Sequence, residues 1–401
     1  MTSTDEFEAR TFLLVGDEWA PARGGISSYN RSLAMALVRA DYRAICLVES
    51  FSTEECADAA ACGVRLVTVE WTPTGPVLRQ DDGGVPDVVP HFVVGHDQVT
   101  GSLARKLAKD HFGVPLVFVV HRAPSEIEPF KDRDDTGSRR DVRERLTRQV
   151  MAEADVVAAV GPRLARYAAA VGGDGFGGLS VLRLDPGMST PDGIARRRQV
   201  PSNPTVVMLG RTADVQLKGL DIAARAIAGL RVGYGRPMPE LLVRGAPSDE
   251  CDALGDRLIA LSGMARDRID VRPFTDDFEQ ITRDLKRAAL CVMPSRADGF
   301  GLAALEAIGL GTPVLVSNKC GLAETLREHL GWIAGLMIVE VDDNVDADAA
   351  RWTSAVERVL LDLPAAFAFA HEVRNRLSGV LTWDATVENL AARLGLRVTS
   401  G

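Results

Sequence analysis

Cys291–Gly321 reads CVMPSRADGFGLAALEAIGLGTPVLVSNKCG. The apolar run Ala288–Met293 predicts a buried strand, which Pro294-Ser295-Arg296 breaks. Asp298 follows, then Gly299 and Gly301 around Phe300. Helical spacing begins at Leu302 and carries a lone acid, Glu306; past Gly309 and Gly311 a second buried strand spans Pro313–Ser317. The order is strand, glycine loop, helix, strand. Such a loop offers backbone N–H groups and the positive end of a helix dipole, which suit a phosphate. A carboxylate one turn further on can accept hydrogen bonds from vicinal sugar hydroxyls. Glu306 sits among Leu302, Ala303, Ala304, Leu305, Ala307 and Ile308, where an unpartnered acid is costly. A nucleotide sugar supplies both a phosphate and a diol.

The same alternation runs outward in both directions. Thr11–Gly16 predicts a strand and Gly24-Gly25 closes the loop behind it. Ile26, Tyr29, Leu33, Leu37 and Ala40 recur at helical spacing. Further strands are predicted at Ala44–Val48, Val64–Val69, His91–Gly95 and Pro115–Val120, with a surface loop over Trp71–Pro90. Lys131–Arg148 mixes both charge signs and predicts a mobile loop followed by a solvated helix. In the second half, strands at Thr205–Leu209, Glu240–Val243, Ile269–Val271, Leu290–Met293, Val314–Ser317 and Leu336–Val339 alternate with helices, one of them Gly219–Leu230. Strand-helix alternation of this kind builds α/β domains on parallel sheets. The expected organisation is a Rossmann-like domain over 1–190, a linker over 191–203 and a second Rossmann-like domain over 204–380, with a closing helix over 381–401.

Composition narrows the function. The 401 residues are 46% hydrophobic and 25% charged, with net charge −9 and a pI near 5.3. That balance does not suggest a nucleic-acid partner. No run reaches the roughly 18–20 apolar residues of a membrane span. The opening MTSTDEFEAR is acidic and polar, unlike a signal peptide, and the six cysteines show no CxxC pair; both fit the cytoplasm. Asp81-Asp82 lies in a Gly/Pro loop without metal-ligand spacing, so no metal is expected. The Arg196–Arg198 run reads as a solvated linker face.

Several other residues point to chemistry. Glycine at Gly24-Gly25 lets a backbone N–H approach a ligand. The stretch is not the GxGxxG dinucleotide fingerprint, which weakens a dehydrogenase reading. Arg211 ends a strand, and Lys218 lies at the expected start of a helix, where the dipole disfavours a cation. A bound dianion would remove that conflict. His121 ends a buried strand and could face a cleft between the halves; His96-Asp97 ends the strand before it.

Together these residues resemble the family-4 retaining glycosyltransferases of the two-domain GT-B fold, over nearly the whole chain. DGFGLAALE resembles the family's E-x7-E element with aspartate first. LGRTADVQLKGLDIAARAI resembles its GR…KG motif. ARGGISSYNRSLAMAL is similar to its N-terminal glycine loop, and GHDQVTG to a stretch near the acceptor. The resemblance implies GT-B, two Rossmann-like sheets facing a central cleft, with 1–190 the acceptor-side domain, 204–380 the nucleotide-sugar-binding domain and the helix over 381–401, at Trp383-Asp384, crossing back to the first. It also implies sugar transfer from a nucleotide-diphosphate sugar, commonly UDP-linked, to a hydroxyl acceptor. It implies retention without a metal or other cofactor. His121, Asp298, Arg211 and Lys218 would act on the reacting groups. Gly24, Gly25, Gly245, Phe274, Thr275, Gly299, Phe300, Gly301, Leu302 and Glu306 would line the donor with them, and His96 the acceptor side. Two positions depart from the family pattern, Asp298 for glutamate and Gly161 for serine. A nucleotide-sugar epimerase and a non-catalytic nucleotide-sugar-binding module are the alternatives on the same fold.

Overall fold

The computed structural model of the protein describes residues 10–20, 24–73, 75–80, 84, 89–131, 136–173, 180–188, 204–231, 237–342 and 344–396. The expected linker 191–203, the Arg196–Arg198 run and Asp81-Asp82 lie outside them.

The first sheet holds eight strands: β1 Thr11–Val15, β2 Arg43–Leu47, β3 Val64–Thr72, β4 Gly75–Arg79, β5 Phe92–His96, β6 Leu116–Val120, β7 Val156–Ala159 and β8 Leu182–Arg183. Their order is β4-β3-β2-β1-β5-β6-β7-β8. The second holds β9 Thr205–Leu209, β10 Glu240–Ala246, β11 Ile269–Pro273, β12 Leu290–Met293, β13 Val314–Ser317 and β14 Ile338–Val339, in the order β11-β10-β9-β12-β13-β14. All pairings are parallel except β3 with β4. Central strands such as β1 and β6 are buried at every residue, as both faces are covered by helices.

Each sheet reverses its strand order once, between β1 and β5 and between β9 and β12. In open parallel sheets, ligands sit outside the carboxyl ends of the strands at that reversal. The glycine loop Gly24-Gly25 follows β1, Gly210-Arg211 follows β9, and Pro294-Ser295 follows β12. Among the described residues no helix is long and apolar enough to cross a membrane.

One expectation needs correction, and one is narrowed. Trp71–Pro90 is not all loop: β3 runs to Thr72, and Gly75–Arg79 returns antiparallel, pairing Trp71 with Pro76. Pro76 is tolerated there because β4 is the sheet edge, where a missing N–H leaves no ladder bond unmade. Gly219–Leu230 holds one helix with narrower bounds, Leu220–Ala228, and the turn ahead of it was not expected. That turn, Val215–Lys218, ends at Gly219 with φ +70°. A Cβ on Gly219 would fall 2.0 Å from the Pro294 carbonyl oxygen. Only glycine combines that left-handed backbone with so close an approach.

The final helix, Trp383–Arg393, packs on the helix Gly25–Arg39. The Trp383 ring meets Tyr29 edge-on at 5.1 Å, and Thr386 donates to the Asp185 carbonyl.

Candidate active site

Residues from both sheets meet across one cleft. A Cβ on Gly24 would lie 3.4 Å from Arg211 Nε, and one on Gly25 would lie 3.1 Å from Leu302 Cδ1. A Cβ on Gly299 would lie 2.1 Å from the His121 carbonyl oxygen, and one on Gly161 would meet the Phe300 ring at 2.7 Å. The glycines predicted to approach a ligand therefore also set how closely the two halves approach. Gly161, where the sequence departs from the family serine, is where the buried Phe300 packs.

On the second-sheet side, Gly210, Arg211, Thr212, Lys218 and Ser295 line a recess at the ends of β9 and β12. Lys218 ends the Val215–Lys218 turn and stands one residue before Gly219, the N-cap of Leu220–Ala228, so it lies beside a helix N-terminus as expected. Its charge is met by Asp298, with Nζ 2.8 Å from Oδ2. Burial pulls the Lys218 pKa down, but Asp298 outweighs it and holds the ammonium above its ordinary range. Ser295, which the sequence reading passed over, is fully buried, and its hydroxyl has no hydrogen-bond partner.

The helix Leu302–Gly309 has the bounds its spacing predicted. Gly301 caps it at φ +101°, with no side chain on the free N–H groups. Its neighbours Ala304, Leu305, Ala307 and Ile308 are buried. Glu306 is half-buried, and burial raises its carboxyl from 4.5 to about 7. Among the described residues none forms an ion pair with it. Gly245 (φ +129°) approaches the Gly210 carbonyl closely, and Arg244 beside it is buried against Asp284. Phe274 is partly exposed at the end of β11, and the Thr275 hydroxyl accepts from Asp277 N–H at 3.1 Å.

On the first-sheet side, His96 and His121 form a relay. His96 Nε2 lies 2.7 Å from Asn30 Oδ1, and His96 Nδ1 lies 2.9 Å from His121 Nε2. Asn30 offers an acceptor, so His96 carries its proton on Nε2 and accepts on Nδ1. His121 must then donate from Nε2, which leaves its own Nδ1 as an acceptor. Burial lowers both pKa values, that of His121 to about 3 with help from Arg122, so both rings are neutral near pH 7. His96 is fully buried, so it supports His121 and offers no surface to an acceptor. Asp97 holds this end of the cleft with φ +45°, a strained value for a non-glycine residue. It accepts from His121 N–H at 2.8 Å and from Arg122 Nε at 2.9 Å. A second recess lies here, with Arg122, Lys131 and Arg143 set against Asp97 and Glu128.

Two Rossmann-like sheets meeting at a cleft in this way define the GT-B glycosyltransferase fold. A family model described as family 4 glycosyltransferase in conflict systems matches residues 13–390, and the chain belongs to that family. A D-inositol 3-phosphate glycosyltransferase of Acidothermus cellulolyticus is 32% identical over 349 residues, 79% of this chain and 69% of the relative. One of Salinispora arenicola is 28% identical and covers 94% of this chain and 88% of its own length. Sucrose-phosphate synthase from Thermosynechococcus elongatus superposes with a TM-score of 0.69 at 18% identity, over 96% of this chain and 98% of that one. Anabaena HepE in complex with UDP and glucose gives 0.68 at 16% identity, over 96% and 99%.

Proposed function

We propose that the protein moves a sugar from a nucleotide-diphosphate sugar, UDP-linked by preference, to a hydroxyl acceptor, with retained anomeric configuration and no metal. The observation that carries this reading is the recess at the β9–β12 reversal, where Arg211, Lys218 and the unpartnered Ser295 hydroxyl adjoin a helix with free N-terminal N–H groups. Those groups suit a diphosphate. Glu306, one turn further along, accepts from the ribose hydroxyls. Asp298 and Nδ1 of His121 accept from the donor sugar. The bond from the anomeric carbon to the phosphate oxygen breaks, and the acceptor oxygen bonds to the same face. Its proton passes to the departing phosphate oxygen. Arg211 and Lys218 stabilise the charge growing on that phosphate, which is where catalysis gains most.

The acceptor enters over His121. Three cations stand there against two carboxylates, an excess that favours an acceptor bearing an anion, as the name of the D-inositol 3-phosphate relatives indicates for those enzymes.

The test is a screen of UDP-, GDP- and ADP-sugars for nucleotide release, with D-inositol 3-phosphate or inositol as acceptor and with EDTA added. Acceptor-dependent release that survives EDTA and prefers the phosphorylated acceptor is expected. Free epimer without acceptor would indicate an epimerase. Donor binding without turnover would indicate a binding module.

A further inference from the structure

Two segments of the second domain, the turn and helix over 215–228 and the loop over 294–298, are joined by two ion pairs of opposite polarity. Lys218 on the first segment meets Asp298 on the second at 2.8 Å. Asp221 on the first meets Arg296 on the second through both oxygens, at 2.9 and 2.7 Å. The pairs differ in access. The Lys218 and Asp298 side chains are 30% and 13% exposed, those of Arg296 and Asp221 10% and 12%. Only Lys218 of these four lines the recess between β9 and β12.

Arg296 also grips the turn that carries Lys218. Its Nη1 donates to the Gln216 carbonyl at 2.6 Å, and its backbone N–H donates to the Leu217 carbonyl at 2.9 Å. Gly219 then presses on the Pro294 carbonyl with no room for a Cβ. Residues on both sides of Lys218 are thus fixed to the Pro294–Arg296 segment, and Lys218 alone points to a different partner.

We propose that Arg296 and Asp221 are a positioning pair, which keeps Lys218 in place while a donor diphosphate takes the ammonium from Asp298. This rests on the nucleotide-sugar reading above. A diphosphate and Asp298 compete for one ammonium, so the front pair must loosen when a donor binds. The rear pair holds the turn during that exchange. Arginine is needed because its planar fork meets both oxygens of Asp221 and a carbonyl at once, which a lysine cannot do.

The experiment is a double-mutant cycle on the full chain with Arg296→Lys, Lys218→Ala and both, read by calorimetric binding of UDP and of uridine. GDP with guanosine replaces that pair if guanine is the preferred base. Arg296→Lys keeps the charge and loses the fork. It is expected to weaken UDP about tenfold, leave uridine unchanged, and add nothing once Lys218 is alanine. Equal losses for UDP and uridine, or additive effects of the two substitutions, would overturn the proposal by making Arg296 merely structural. If Arg296→Lys does not fold, Asp221→Asn is read in the same way. Wild-type binding of UDP that Lys218→Ala weakens secures the donor reading by itself, and Arg296→Lys then decides the positioning role alone. A wild type that binds no nucleoside diphosphate overturns both.

Discussion

Lys218 and Asp298, both expected to face the donor, bond to each other, with Nζ 2.8 Å from Oδ2. A diphosphate must draw the ammonium away from that carboxylate. Asp298→Asn is therefore expected to tighten UDP binding by roughly three- to tenfold, as a charge-assisted competitor is removed. The same change should slow transfer at least about tenfold, because the sugar loses an acceptor. Titration calorimetry beside a turnover assay checks both. UDP affinity that is equal in the two proteins would mean that the pair does not compete with the ligand. Asp298→Glu, which restores the family residue, is the companion variant for donor choice.

Glu306 gives a pH signature. Its carboxyl is raised to about 7, so the folded protein holds a proton there between about pH 4.5 and 7 while the unfolded chain does not. Its contribution to stability is then lost as pH rises through that window. Glu306→Gln should raise the melting temperature at pH 8 relative to wild type and make little difference at pH 4.5. On the proposed assignment, in which ribose hydroxyls donate to the carboxylate, nucleotide affinity has the opposite slope. Binding of UDP-glucose, whose doubly esterified diphosphate takes up no proton in this range, should weaken as pH falls below 7 and lose that dependence in Glu306→Gln. Melting curves and affinities at four or five pH values decide it; a flat wild-type profile contradicts the assignment.

The two histidines carry the reverse sign. Both have lowered pKa values in the fold, so stability is full above about 6.5 and falls as the solution is acidified below it. In nitrogen-15 NMR, His121 should stay neutral down to about pH 4, protonated on Nε2, and His96 should stay neutral well below its ordinary range. Titration of His121 near pH 6.5 would break the relay through His96 to Asn30.

Gly299 tests how the halves meet. A methyl there would lie 2.1 Å from the His121 carbonyl oxygen, a contact between backbone and Cβ that no rotamer change relieves. Gly299→Ala should cost about 1–3 kcal/mol of stability, as overpacking does. It should also reduce turnover by displacing His121. Melting temperature and turnover unchanged from wild type would show that the loops are free to part.

What could be read in the sequence was local. The helix Leu302–Gly309 and the strands around it were legible because apolar spacing and glycine punctuation both mark their ends. The turn Val215–Lys218 was not legible, because Gly219, which separates it from the helix, packs on Pro294, distant in sequence. β4 was hidden by a Pro- and Gly-rich composition that suits a loop as well as an edge strand. The side-chain partnerships were beyond reach. Asn30 meets His96 across 66 residues, and Arg296 meets Asp221 across 75, so no spacing announces either. Ser295 looked like part of a strand-breaking tripeptide and became notable only once its hydroxyl was seen buried without a partner.

The central claim is that a nucleoside diphosphate occupies the recess between Arg211, Lys218 and the helix Leu302–Gly309. Amide hydrogen exchange with and without saturating UDP measures this directly. Slowed exchange concentrated in 210–220 and 299–309 is the predicted result. No change with UDP, GDP or ADP, or protection confined to other segments, would contradict it.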